Sequence, residues 1–185
     1  KTPSASTESR QRPLPLAEYD VRVTRAPRFR LVLAKEDFKF SVAHFTVFGE
    51  GDAELLHGHN YRVEVALGGR RLSEHGLLAD VAVVKREIRA LCDQLDSRTL
   101  IPTDCPLVEV AAAAGEVEVR FAGRRYLLPE PEVRLLPLAN TTIELLAVWF
   151  WERLAAGLGE PVDRLAVTVE ETAGQRCVYE RDLPA

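Results

Sequence analysis

His57-Gly58-His59-Asn60-Tyr61 runs straight into an alternation of Tyr61, Val63, Val65 and Leu67 against Arg62, Glu64 and Ala66. Such alternation marks a strand with one covered face and one polar face. Residues two apart in a strand project from the same face, so His57 and His59 point together. A third histidine, His44, follows in sequence after Phe40-Ser41-Val42-Ala43. A preceding antiparallel strand would bring it opposite the pair. Three imidazoles converging on one point form the ligand set of a catalytic zinc, with the fourth position left for water or substrate. Three of the four histidines fall into these two flanking segments. We therefore expect a metal site of His44, His57 and His59, with Zn2+ favoured because every ligand is an imidazole.

The rest of the chain reads as an α+β layout. Val21–Thr24, Phe29–Ala34 and Phe38–Phe48 have extended character, and a turn-rich loop from Gly49 to Glu54 follows. Gly68-Gly69 ends the histidine strand. Asp80 caps a helix to about Leu95, with Val83, Val84, Ile88, Leu91 and Leu95 as its apolar stripe. Val108–Val110, Val117–Phe121 and Arg125–Leu128 read as short strands separated by Ala111–Gly115 and Ala122-Gly123. We take the segment 107–136 as an inserted hairpin or edge addition. Thr141-Thr142-Ile143-Glu144 has capping-box form and opens a helix through about Leu158. Gly157, Gly159 and Pro161 stop it. Arg164–Glu170 and Cys177–Arg181 form a closing hairpin.

A chain of 185 residues with 46% hydrophobic content suits one domain, here 21–185 behind a disordered leader over 1–20. No apolar run approaches the ~20 residues of a membrane span, and Lys1–Arg12 lacks the apolar stretch of a signal peptide. Three scattered cysteines fit a reducing, cytoplasmic setting. A net charge of -4 speaks against general nucleic-acid binding.

The ordered set Phe40–His44, His57-Gly58-His59-Asn60-Tyr61, Gly76-Leu77-Leu78-Ala79-Asp80, Thr142-Ile143-Glu144-Leu145-Leu146-Ala147 and Val169-Glu170-Glu171-Thr172 resembles the 6-pyruvoyl-tetrahydropterin synthase / 6-carboxy-tetrahydropterin synthase family. The resemblance implies a tunnelling fold: a four-stranded antiparallel sheet with two helices on one face. Three subunits would close a barrel, and two trimers would stack into a homo-hexamer. It implies zinc on His44, His57 and His59, a pterin substrate held by Glu171, and Thr142 near the pterin. A carboxylate does match the N–H and amino donors of a 2-amino-4-oxo-pyrimidine edge. Glu170 takes that place if a bulge shifts the strand's parity.

Two departures bear on the chemistry. The main-line synthases carry a cysteine base shortly before the paired histidines, and this chain has none between His44 and His57. Glu54 falls where a divergent branch carries glutamate, and that branch cleaves 7,8-dihydroneopterin triphosphate to 6-hydroxymethyl-7,8-dihydropterin. The family's Asp-His pair after the first helix reads Asp96-Ser97 here. Asp96 matches, but serine has no pKa near neutrality and cannot shuttle protons as imidazole does. Catalytic roles are expected for Glu54 and Asp96. The other readings are a pyruvoyl- or carboxy-type synthase with altered acid–base groups and a pterin- or purine-binding protein without turnover. Lys39, Arg62 and Arg98 are the cations considered for the triphosphate.

Overall fold

The computed structural model describes residues 28–184. The expected leader 1–20 and the extended segment Val21–Thr24 lie outside them. Among the described residues a seven-stranded mixed sheet carries two helices on one face. Its centre is β5 (His57–Gly69), long enough to take two partners on one edge. β2 (Lys39–His44) pairs antiparallel with the first half, from Lys39 opposite Arg62 to His44 opposite His57. β1 (Phe29–Leu33) pairs antiparallel with the second half, from Leu33 opposite Val65 to Phe29 opposite Gly69. The two glycines expected to end β5 are therefore part of its ladder.

On the other edge β11 (Arg164–Thr172) and then β12 (Gln175–Asp182) continue the antiparallel order. The run β2–β5–β11–β12 is antiparallel, but the sheet as a whole is larger than the four-stranded antiparallel one that the resemblance implied. The sheet extends further on the β2 side, where β6 (Arg98–Pro102) and β10 (Val133–Leu136) add in parallel.

Strand parity sets the layers. Phe40 and Val42 of β2, Tyr61, Val63 and Val65 of β5, and Val167 of β11 are buried on one face. Helices α1 (Val81–Leu95) and α2 (Ile143–Ala155) close over the apolar side of the sheet. Asp80 caps α1, its carboxylate accepting from the N–H groups of Ala82 and Val83. That helix buries Val84, Ile88, Leu91, Cys92 and Leu95, while Val83 is exposed, so the apolar stripe is narrower than the sequence pattern. α2 ends at Ala155, earlier than the glycine stop signals. Its N-cap is Thr142, whose hydroxyl accepts from the Leu145 N–H. Thr141, the cap position of the expected box, instead donates its hydroxyl to the Phe45 carbonyl at 2.7 Å. The Trp151 indole N–H donates to the Leu165 carbonyl and fixes α2 against β11.

The insertion is a three-stranded antiparallel meander rather than a hairpin: β7 (Glu109–Ala113), β8 (Glu116–Phe121) and β9 (Arg124–Pro129). Ala111–Ala113, read as a spacer, belong to β7. The turns are Ala114-Gly115 and Ala122-Gly123, with positive φ at all four residues. Two-residue turns of this hand match the twist of the strands they join. The meander has its own core, in which Val117, Val119 and Phe121 pack with Phe45, Ile101 and Cys105. Its covered face therefore lies on the segment between β2 and β5. Between those strands β3 (Val47–Gly49) and β4 (Asp52–Ala53) make a small hairpin.

Candidate metal and pterin site

The three histidines meet at the covered face where β2 and β5 begin to part. His44 pairs with His57 in register, and His59 shares their face. Their ligand atoms lie within 4.8 Å of one another, and the His57 and His59 Nε2 atoms are 3.0 Å apart. Nitrogens about 2.0–2.1 Å from a tetrahedral zinc stand about 3.3 Å apart, so the spacing suits the ion.

Backbone carbonyls set the tautomers. His44 Nδ1 lies 3.1 Å from the Thr141 carbonyl and His57 Nδ1 lies 2.8 Å from the Leu55 carbonyl. Each Nδ1–H donates, which leaves Nε2 with its lone pair facing the cluster, as in histidines that bind metal. Burial holds the His44 imidazolium below its ordinary pKa, with the Glu171 carboxylate acting in the opposite sense. His44 is neutral at pH 7 and ready to ligate.

Tyr61 was not singled out as a site residue, although it ends the histidine motif. It is fully buried, and its hydroxyl donates to Glu171 Oε1 at 2.6 Å while lying 3.0 Å from His44 Nε2. Burial and the Glu171 hydrogen bond push its pKa up, so the phenol stays protonated. Glu171 Oε1 is also 3.3 Å from His44 Nε2 and 3.7 Å from His59 Nε2. The one phenolic proton goes to Glu171, so the lone pair of neutral His44 faces oxygen on both sides. A cation among the three Nε2 atoms relieves that contact. The residues fit a metal ion, and the donor set fits zinc.

Glu171 lies on the same face as Tyr61 because it keeps the parity of Val167 and Val169. A register shift does fall between Glu170 and Thr172 against β12. Even so Glu171 points inward, and Glu170 accepts from the Gly174 N–H near the hairpin turn. The second Glu171 oxygen accepts from the Gln175 side chain at 3.0 Å. Within one chain this carboxylate is tied to the histidine cluster and the β11–β12 turn.

Glu54 sits in the segment leading into β5. Its Oε2 accepts from the Thr46 N–H at 2.9 Å, and its own N–H donates to the Thr46 carbonyl at 2.9 Å. Burial raises its pKa, but the Thr46 hydrogen bonds outweigh this and hold it below the ordinary carboxylate value, with the nearby His57 and His44 rings acting in the same sense. Glu54 is ionised at neutral pH. The free thiols lie elsewhere: Cys92 on α1, Cys105 in the meander core and Cys177 on β12.

Asp96 and Thr142 both have hydrogen-bond partners within the fold. Asp96 follows the last residue of α1; its carboxylate accepts from the Ser41 N–H at 2.7 Å and the Ser97 hydroxyl at 3.1 Å. It fastens the end of α1 to β2. Ser97 takes a positive φ of 58° and lines an open groove with Ser41, Asn60 and Arg98. The Thr142 hydroxyl is engaged in helix capping. Lys39 and Arg62 face each other across the ladder on the side opposite Phe40 and Tyr61, away from the histidines.

Fold and site together define an α+β protein with a three-imidazole cluster set under two helices. The 6-pyruvoyl tetrahydropterin synthase family model matches residues 33–182, and the chain belongs to that family. A Methanocaldococcus jannaschii protein to which 6-carboxy-5,6,7,8-tetrahydropterin synthase activity is assigned provisionally is 30% identical, over 78% of this chain and 91% of that protein. The 6-carboxy-5,6,7,8-tetrahydropterin synthase of Aquifex aeolicus is 27% identical, over 69% of this chain and 75% of its own length. The Plasmodium vivax 6-pyruvoyl tetrahydropterin synthase crystal structure superposes with a TM-score of 0.78 at 24% identity, covering 84% of this chain and 99% of that one. None of the helices among the described residues is long and apolar enough to cross a membrane.

Proposed function

We propose that this chain is a zinc-dependent enzyme that cleaves the side chain of 7,8-dihydroneopterin triphosphate to release 6-hydroxymethyl-7,8-dihydropterin. The observation that carries this reading is Glu54, an ionised carboxylate held on the Thr46 amide beside the histidines, where no thiol is present. Among the Plasmodium vivax structures, two catalytic-residue mutants replace a glutamate by alanine or cysteine, a parallel to Glu54.

Zinc on His44, His57 and His59 would polarise the oxygens of the substrate side chain. Glu54 takes the proton of the second side-chain hydroxyl, and that carbon becomes an aldehyde. The bond to the first side-chain carbon breaks, and its electron pair passes into the ring imine. The proton then returns to the first carbon, giving the hydroxymethyl group. One proton is moved in all, so a single acid–base group suffices. This accounts for serine at position 97. Glu171 takes the pterin edge when the ring enters. Exposed Phe48 and Leu55 flank the Glu54 segment, which suits a homo-oligomer of the hexameric, two-trimer kind in which a second copy covers the site.

A second reading, a 6-carboxy- or 6-pyruvoyl-type synthase acting on the same substrate, is favoured by the names of the relatives in sequence. Product analysis separates them. Zinc-loaded protein and Glu54→Gln are incubated with the triphosphate, and the pterins are separated by chromatography after oxidation. Hydroxymethylpterin from the wild type, reduced about 10²- to 10⁴-fold in Glu54→Gln, is the expected result. A pyruvoyl or carboxy product transfers the assignment to the second reading. Tight pterin binding with no product would make the protein a binding module.

A further inference from the structure

We propose that the inserted meander β7–β9 is a clamp that positions Glu54, with Arg124 as its positioning residue. This rests on the reading of Glu54 as the base. Arg124 opens β9, directly after the Ala122-Gly123 turn. Its guanidinium donates to the Glu54 carbonyl at 2.7 Å and to the Ala53 carbonyl at 3.1 Å. A planar fork binding two successive carbonyls fixes the two peptide planes that meet at the Glu54 Cα, which a single hydrogen bond does not do. The Glu54 side chain leaves from that Cα.

The fork is itself held. The Arg124 guanidinium stands over the Phe121 ring at 5.6 Å, and Phe121 stacks on Phe45 with ring centroids 3.6 Å apart and planes 9° apart. Phe45 follows His44 in the chain, so one stack joins the meander to the metal strand. Ala53 and Leu56 pack against the same core on either side of Glu54 and Leu55. The insertion thus grips the segment on both sides of the carboxylate, and Glu54 Oε2 is left aimed at the Thr46 amide. Without these contacts Glu54 would sit on a surface loop between two strands, and a base misplaced by about 1 Å loses up to about 100-fold in rate.

The test uses the zinc-loaded full chain with Arg124→Ala, Arg124→Lys and, as control, Arg125→Ala. Arg125 binds Glu118 and touches no part of the Glu54 segment in these hydrogen bonds. Two readouts are taken: steady-state rates, and amide hydrogen exchange of peptides spanning 45–56. Arg124→Ala is expected to lower kcat about 10- to 100-fold with little change in KM, and to speed exchange in 45–56 but not in α1. Added guanidinium ion restores part of the rate, which it would not do for a misfolded protein. Arg124→Lys, which reaches one carbonyl, falls between, and it carries the test if Arg124→Ala does not fold. Arg125→Ala behaves as wild type. Unchanged exchange in 45–56 overturns the clamp. Faster exchange with unchanged kcat, in an enzyme that Glu54→Gln inactivates, overturns the positioning role. If Glu54→Gln keeps full activity, the base assignment itself fails, and the exchange result alone then decides whether the clamp exists.

Discussion

Replacing Tyr61 by phenylalanine removes one oxygen from a crowded polar contact among His44, His59 and Glu171. The hydroxyl donates to Glu171, whose side chain is only 13% exposed, and a hydrogen bond to a charged group is worth about 1.5–3 kcal/mol. The same oxygen stands 3.0 Å from His44 Nε2. With the His44 proton on Nδ1, that nitrogen offers a lone pair, so without metal the contact is unfavourable and phenylalanine relieves it. With zinc bound the lone pair is taken up, the unfavourable contact is gone, and the full hydrogen bond to Glu171 is lost on substitution. Tyr61→Phe should therefore destabilise the zinc-loaded protein more than the chelator-treated one. At about 2–4 °C per kcal/mol for a domain of this size, the loaded protein should melt about 3–12 °C below its wild type, and the chelated form should lose less. Differential scanning calorimetry of both proteins, with zinc and with EDTA, measures the four melting points. A larger loss in the chelated form would refute the reasoning, because it would mean that His44 carries a proton on Nε2 and donates to Tyr61. Failure of zinc to raise the wild-type melting point would remove the metal site altogether.

Two further outcomes follow from the packing. A Cβ added at Gly69 would come within 2.5 Å of the Pro161 carbonyl oxygen and 2.6 Å of Leu78 Cδ1, so Gly69→Ala should cost about 1–3 kcal/mol, read as a lower urea midpoint. Burial pushes the Cys92 thiol up to about 12, with Asp93, Asp37 and Asp96 adding to the effect. Because the thiolate is the reactive form and its fraction rises with pH toward that value, Cys92 should resist iodoacetamide at pH 8 in the native protein and react on unfolding, as peptide mass mapping would record.

How much of this was legible beforehand differs from one residue to the next. His57, His59 and the alternation behind them needed only the period of a strand, and the structure brings His44 opposite, as a preceding strand would. Asp80 and the start of α1 were readable because capping is settled within a few residues. Val83 was misjudged because a stripe read from spacing alone does not show how wide the covering surface is. The Thr141/Thr142 cap shifted by one residue because the Phe45 carbonyl, far away in sequence, claims the Thr141 hydroxyl. Asp96, read from the resemblance as the family's acidic residue, has its carboxylate engaged in joining α1 to β2.

The sequence by itself determined which residues share a face: His57 with His59, Tyr61 with Val63. That information is local, since a strand repeats every two residues. Only the tertiary structure decided what those faces meet. The His44 ring is oriented by a carbonyl 97 positions away, Tyr61 reaches a carboxylate 110 positions on, and the Glu54 carbonyl accepts from an arginine 70 positions on. Contacts at such separations depend on how the sheet closes and where the inserted meander lands, and no periodicity along the chain encodes them.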